Sequence, residues 1–222
     1  MIVYSDTQTP ARRPFQRELN RVERDILRMG ALVETSCRLS HQALCDRNLS
    51  AAKAIPSLDK KIDRYYRQIE ADCVLLMTLQ APVARDSRQL GAFMQLVRDL
   101  ERIGDYAKDL AEISIKLFPY PEHNCMSRIA MMSQQAQAML AMSLEALINL
   151  DAEVGLQMKE KDTAVDTAYD TLYQTLARQR DYQGVLEPIL LLVLAIRHLE
   201  RMADHATNIG RRVAYIVTGH RH

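Results

Sequence analysis

Six pairs of carboxylates stand four residues apart in this chain: Asp59 and Asp63, Glu101 and Asp105, Asp105 and Asp109, Asp162 and Asp166, Asp166 and Asp170, Glu200 and Asp204. On a helix, four residues advance about 6 Å along the axis and return to nearly the same face, so each series forms an acidic stripe. Like charges at that spacing repel by about 0.2–0.5 kcal/mol per pair, and something cationic is expected to offset them. Oxygen ligands from two neighbouring helices, one turn apart, are how helical bundles hold cations such as iron, manganese, zinc or magnesium. The other reading is a solvated face paired with Arg98, Arg102, Lys108, Arg197 and Arg201. Asp162, Asp166 and Asp170 are expected to have the fewest basic neighbours. No His-x-x-Glu pair, HExxH or cysteine cluster accompanies the stripes, so spacing alone leaves both readings open. His205 follows Asp204 and points about 100° away, behind the stripe or toward the surface. His198, His41, His123, His220 and His222 read as surface or packing residues.

Other chemistry is missing in an informative way. There is no GxxxxGK[ST], GxGxxG or GxSxG, and seven scattered glycines build no phosphate cradle, which argues against ATPases, dehydrogenases and hydrolases of those classes. Lys+Arg 29 against Asp+Glu 28 leaves a net charge of +1, so no general attraction for nucleic acid is indicated. The segment Arg85-Asp86-Ser87-Arg88 reads as a helix start paired on the surface, and Arg211-Arg212 as a complement to a helix dipole or acidic face.

The stripes must be carried by long helices. The chain has 222 residues, 48% of them hydrophobic, with only seven glycines and seven prolines, which suits helices far better than turn-rich sheets. From Phe15 to about Asp46, the positions Leu19, Val22, Ile26, Met29, Val33, Cys37, Ser40 and Leu44 recur at steps of three and four. A second helix is expected to start near Ser50 or Ser57 and to bury Ile62, Tyr65, Tyr66, Ile69, Cys73, Leu76 and Leu79 before Pro82. A third runs from Asp86 to Phe118 on Leu90, Phe93, Val97, Leu100, Gly104, Ala107, Ala111, Ser114 and Phe118, its small central residues permitting close helix contact. After Pro119 and Pro121 three more follow, over Ser127 to about Leu150, Val154 to about Arg180 and Pro188 to about Thr218. The methionines of the fourth (Met126, Met131, Met132, Met139, Met142) suit core packing against the first helix, or an adaptable partner surface.

The chain also repeats itself. Leu100-Glu101-Arg102-Ile103-Gly104-Asp105 matches Leu199-Glu200-Arg201-Met202-Ala203-Asp204 at a separation of 99, and Asp59-x-x-x-Asp63 matches Asp162-x-x-x-Asp166 at 103. The expected architecture is all-α, six long helices in two tandem three-helix bundles: a tail over 1–14, a first repeat over 15–120 and a second over 125–219. Cys37, Cys45, Cys73 and Cys125 include no CxxC pair and read as reduced, buried thiols. The polar N-terminus lacks the apolar stretch of a signal peptide, and the longest apolar run, Ile189 to Ile196, is eight residues against about 20 for a membrane span. A cytoplasmic location is expected.

In order along the chain, Gln80-Ala81-Pro82-Val83-Ala84-Arg85-Asp86-Ser87-Arg88, Leu100 to Asp105, Leu199 to Ile209 and the ending Val217-Thr218-Gly219 resemble the PhoU family of bacterial phosphate-uptake accessory proteins over almost the whole chain. The resemblance implies multinuclear iron or zinc clusters on the surface, with manganese or magnesium as further candidates. Carried across, it places Glu101, Asp105 and Asp109 in one cluster and Glu200, Asp204 and Asn208 in the other, with Asp59, Asp63, Asp162 and Asp166 as their partners. The chain departs from the usual pattern at Tyr106 (commonly His), Ser87 (commonly Leu) and Arg211-Arg212 (commonly acidic). It also implies non-enzymatic negative regulation of the phosphate two-component response when phosphate is ample. The implied partners are a sensor histidine kinase and the ATPase subunit of the phosphate ABC transporter, with a homodimer as the family's tendency, no nucleic acid, and membranes met only peripherally.

Two rivals belong beside it. A di-metal carboxylate enzyme would need open coordination sites and a substrate pocket. A metal-free helical scaffold would be indifferent to chelation.

Overall fold

The computed structural model describes residues 12–82, 84–178 and 184–220. Among them stand six helices and no strand: α1 (Arg12–Cys45), α2 (Leu49–Gln80), α3 (Ala84–Leu117), α4 (Met126–Asn149), α5 (Ala152–Ala177) and α6 (Glu187–Thr218). The fold is therefore all-α, as the periodicity requires. Residues 1–11, Val83, the expected end of the fifth helix at Arg180, and His222 lie outside the described residues. Residues 12–14, expected in the tail, open α1 instead.

Helices α1, α2 and α3 pack on one another, as do α4, α5 and α6; the two groups meet through α3 on α6 and α1 on α4. One continuous apolar cluster runs through both, from Phe15, Ile26 and Phe93 to Met132, Ile196 and Val213. All eight positions read as the inner face of α1 are buried. Four positions assigned to inner faces are not: Tyr65 and Tyr66 are half-buried against the core, and Leu79, 68% exposed, and Phe118, 42% exposed, sit at or just past helix C-termini. Cys45 is half-buried rather than buried, while Cys37, Cys73 and Cys125 are enclosed; burial pushes the Cys73 thiol up to about 12. Met131 faces solvent, whereas Met126, Met132 and Met139 are core residues.

The start of α2 corrects the sequence reading. Its cap is Asn48, whose side chain accepts from the backbone N–H of Ser50 and Ala51 at 3.1 Å each, so neither Ser50 nor Ser57 plays that part. Pro56 lies inside the helix on its exposed side, where its missing N–H removes one hydrogen bond from a helix of 32 residues otherwise held by packing. Arg47, at φ 54°, makes the turn before it and donates to the backbone carbonyls of Tyr120 (3.0 Å) and Phe118, tying the first helix pair to the inter-repeat linker.

Close approach of helices places the stripes. A Cβ built on Gly104 would lie 3.2 Å from Ile62, so α3 sits tightly on α2 beside Asp59, Asp63, Glu101 and Asp105. Gly155 and Gly210 bring α5 and α6 into backbone contact.

Candidate functional site

In the first repeat, Asp59 and Asp63 on α2 face Glu101 and Asp105 on α3. Burial, then the charge of Asp105, with Asp63 and Asp59 adding, raises the Glu101 carboxyl above its ordinary value, while Arg102 opposes. Asp105 is raised for the same reasons, burial first and Asp59 and Asp63 after it, against Arg102 and Lys108. The Lys108 ammonium sits among these carboxylates, 2.8 Å from Asp59 Oδ2, and Arg102 reaches Asp105 at 3.4 Å and Glu101 at 3.8 Å.

The second repeat builds the same arrangement on α5 and α6. Asp166 is raised by burial, by Asp162, Asp204 and Asp170, and Glu200 by burial, Asp204 and Asp166. Here Lys159 Nζ lies 2.9 Å from Asp162 Oδ2, Arg197 2.6 Å from Glu200 and Arg201 2.7 Å from Asp204. Among the described residues Lys159, three residues before Asp162 on the same helix face, is the one basic side chain paired with this stripe; Asp166 and Asp170, also expected to have few basic neighbours, form no ion pair there. Even so, Asp162 Oδ1 and Glu200 Oε2 are shielded from solvent without a hydrogen-bond partner.

Eight of the ten expected ligands therefore meet, four to a cluster. Asp109 is the exception in the first repeat, lying 3.9 Å from His198 Nδ1 across the α3–α6 contact. Asn208 continues the Glu200 and Asp204 stripe one turn further along α6, and Asp170 is exposed. The donor set, hard oxygens of which Glu101, Asp105, Asp166 and Glu200 are raised by burial first and by neighbouring carboxylates after it, and two of which, Asp162 Oδ1 and Glu200 Oε2, lack partners, fits a cation. Among the described residues, however, no three His, Cys, Asp or Glu side chains already converge as metal ligands. In each cluster the α2 or α5 carboxylates pair with a lysine, Lys108 on Asp59 and Lys159 on Asp162, and the α3 or α6 carboxylates with arginines.

What the sequence reading missed lies between the clusters. His205 is neither a surface group nor a ligand but pairs through Nδ1 with Asp99 Oδ1 at 2.8 Å, both side chains largely buried. Its ring also meets Tyr106 at 5.8 Å, and Tyr106 meets His198 at 5.4 Å. The signal was present: at the offset of 99, Asp99 corresponds to His198 and Tyr106 to His205, so the four residues that meet between α3 and α6 occupy corresponding positions in the two repeats. Arg212 lines a cavity with Arg98, Arg102 and Arg201.

Three comparisons bear on what this arrangement is. A family model described as "PhoU domain" matches residues 26–114 and again 129–213. The chain is 61% identical to the phosphate-specific transport system accessory protein PhoU homolog of Synechocystis sp., over 96% of this chain and 95% of the relative. It is 32% identical to the protein of that name from Pseudomonas aeruginosa, over 92% and 86%. The crystal structure of PhoU from P. aeruginosa superposes with a TM-score of 0.87 at 31% identity, covering 93% of this chain and all of that one. That of the phosphate transport system regulatory protein PhoU from Streptococcus pneumoniae gives 0.86 at 27%, covering 94% and 99%.

Proposed function

Because the chain belongs to the PhoU family, we propose that it is a non-enzymatic regulator of phosphate uptake that restrains the phosphate two-component response when phosphate is ample. It acts in the cytoplasm as a homodimer and connects the ATPase subunit of the phosphate ABC transporter with the sensor histidine kinase. It meets the membrane through those partners. Among the described residues no helix is long and apolar enough to cross a membrane.

The observation that carries this reading is the near full-length likeness to accessory proteins of phosphate-specific transport. Physically, a regulator without turnover must bind one state of its partner better than another, and it can shift the partner only by that difference in affinity. A helical body with two acidic faces supports this: occupancy of each face by a cation changes the charge it presents. The clusters Asp59, Asp63, Glu101, Asp105 and Asp162, Asp166, Glu200, Asp204 are the proposed seats of iron or zinc, with manganese or magnesium as further candidates.

The test is a deletion strain carrying a reporter under a phosphate-regulated promoter. In phosphate-replete medium the reporter is expected to be expressed without the protein and silenced again by the intact chain. A reporter that stays silent in the deletion strain overturns the regulatory reading.

A further inference from the structure

Between α3 and α6 lies a cavity of about 620 Å³ lined by Gln95, Arg98, Asp99, Arg102, Tyr106, Arg201, His205 and Arg212. Four guanidinium groups line it against one carboxylate, and that carboxylate, Asp99, is occupied by His205. Arg98 is notable for the pair it does not make. Its counterpart 99 residues on, Arg197, reaches Glu200 three residues ahead at 2.6 Å, whereas Arg98 has Glu101 three residues ahead and forms no ion pair among the described residues. Arg212 likewise has none, and its Nε, together with Nε2 of His205, is shielded from solvent with no hydrogen-bond partner. The Arg212 Nε–H is a shielded donor without a partner, and Arg98, on the exposed side of the cavity, is a cation without one; a buried unpaired donor among like charges is costly unless an anion meets it.

We propose that this cavity binds a small polyphosphate anion, recognised through at least two linked phosphoryl groups. Two of the four arginines are shared with Asp105 and Asp204, so the match is one of geometry more than of net charge: a phosphoryl group, with three terminal oxygens and about 1.5 to 2 negative charges near neutrality, meets fewer guanidinium forks than line the cavity, and two linked groups reach more of them than one does. The planar guanidinium fork matches oxyanions in bidentate fashion, which a lysine-lined cavity would not do. Arg102 and Arg201 are shared with Asp105 and Asp204 of the two acidic clusters, while Arg98 and Arg212 line the cavity and form no ion pair among the described residues. The inference is independent of the transporter and kinase partners, and its failure would leave the reporter experiment untouched.

The experiment is isothermal titration of the full chain, kept in chelator at fixed ionic strength, with pyrophosphate, ATP and orthophosphate. One pyrophosphate per chain is expected, bound at least about tenfold more tightly than orthophosphate, about 1.4 kcal/mol. Arg98→Ala and Arg212→Ala should each weaken it about tenfold, with Arg24→Ala, on the exposed side of α1, without effect. Arg98→Lys and Arg212→Lys, which keep the charge and lose the fork, should fall between, and they serve if the alanine variants melt early. ATP binding no tighter than pyrophosphate assigns recognition to the phosphate chain; tighter ATP binding adds a nucleoside contact, and either supports the site. The absence of saturable heat, orthophosphate binding equal to pyrophosphate, or binding that survives both alanine substitutions overturns it.

Discussion

Gly155 and Gly210 touch backbone to backbone: a Cβ built on either would stand 2.5 Å from the other's carbonyl oxygen. The contact sets the separation of α5 and α6, and with it the distance between Asp162 and Asp166 on one helix and Glu200 and Asp204 on the other.

Gly210→Ala should therefore destabilise the protein, by about 1–3 kcal/mol, because the clash is with backbone and cannot be relieved by a rotamer change. Gly91 has nothing within 4 Å of the same ideal Cβ position, and Gly91→Ala should stabilise by about 0.5–1 kcal/mol through lower unfolded-state entropy. Urea unfolding of the two variants measures both; equal and positive effects would mean that the helix contact gives way.

The carboxyl groups of Glu101, Asp105, Asp166 and Glu200 are all raised above their ordinary values, so the folded state binds more protons than the unfolded one from those ordinary values upward. With more protons on the folded form, the slope of stability against pH is negative in that window. These groups thus make the chelated protein more stable as pH is lowered from 7 toward 5, and Glu101→Gln should raise its melting temperature at pH 7 while flattening the pH dependence. Melting curves in chelator between pH 5 and 7 decide this; a variant that melts lower and keeps the wild-type slope would show that the carboxylate is stabilised by its arginine instead.

Elemental analysis of protein purified without a histidine tag should find iron, zinc or manganese in stoichiometric amount. The metal should be lost in the combined variant Glu101→Ala/Asp105→Ala/Glu200→Ala/Asp204→Ala. Restoring metal at 100 times its dissociation constant should stabilise the wild type by about 2.7 kcal/mol and the variant not at all. Unchanged melting with no bound metal would reduce the clusters to lysine-paired acidic faces.

Asn48→Ala should cost about 0.5–2 kcal/mol, since two N–H groups of the first turn of α2 lose their acceptor. Ser57→Ala, whose hydroxyl only bonds back to the Ala54 carbonyl, should change stability by a few tenths. The comparison of the two denaturation midpoints locates the start of the helix in solution.

Helical periodicity was legible in the residues because 3.6 residues per turn forces one face inward, and from Leu19 to Leu44 every position on that face of α1 is enclosed. The internal repeat was legible for the same reason, as was the grouping of four carboxylates on two helices of each bundle. The repeat offset places Asp99, Tyr106, His198 and His205 at corresponding positions without saying which of them pair, and the pairings themselves came only from packing: His205 with Asp99 over 106 residues, Lys108 with Asp59 over 49. Whether Arg98 turns to Glu101, as Arg197 turns to Glu200, or into the cavity between α3 and α6 is likewise decided by what the opposite helix presents. A stripe's residue types and spacing are local properties of one helix, but the partner of each charged side chain is chosen by burial and by the field of another helix, and only the packed tertiary structure supplies those.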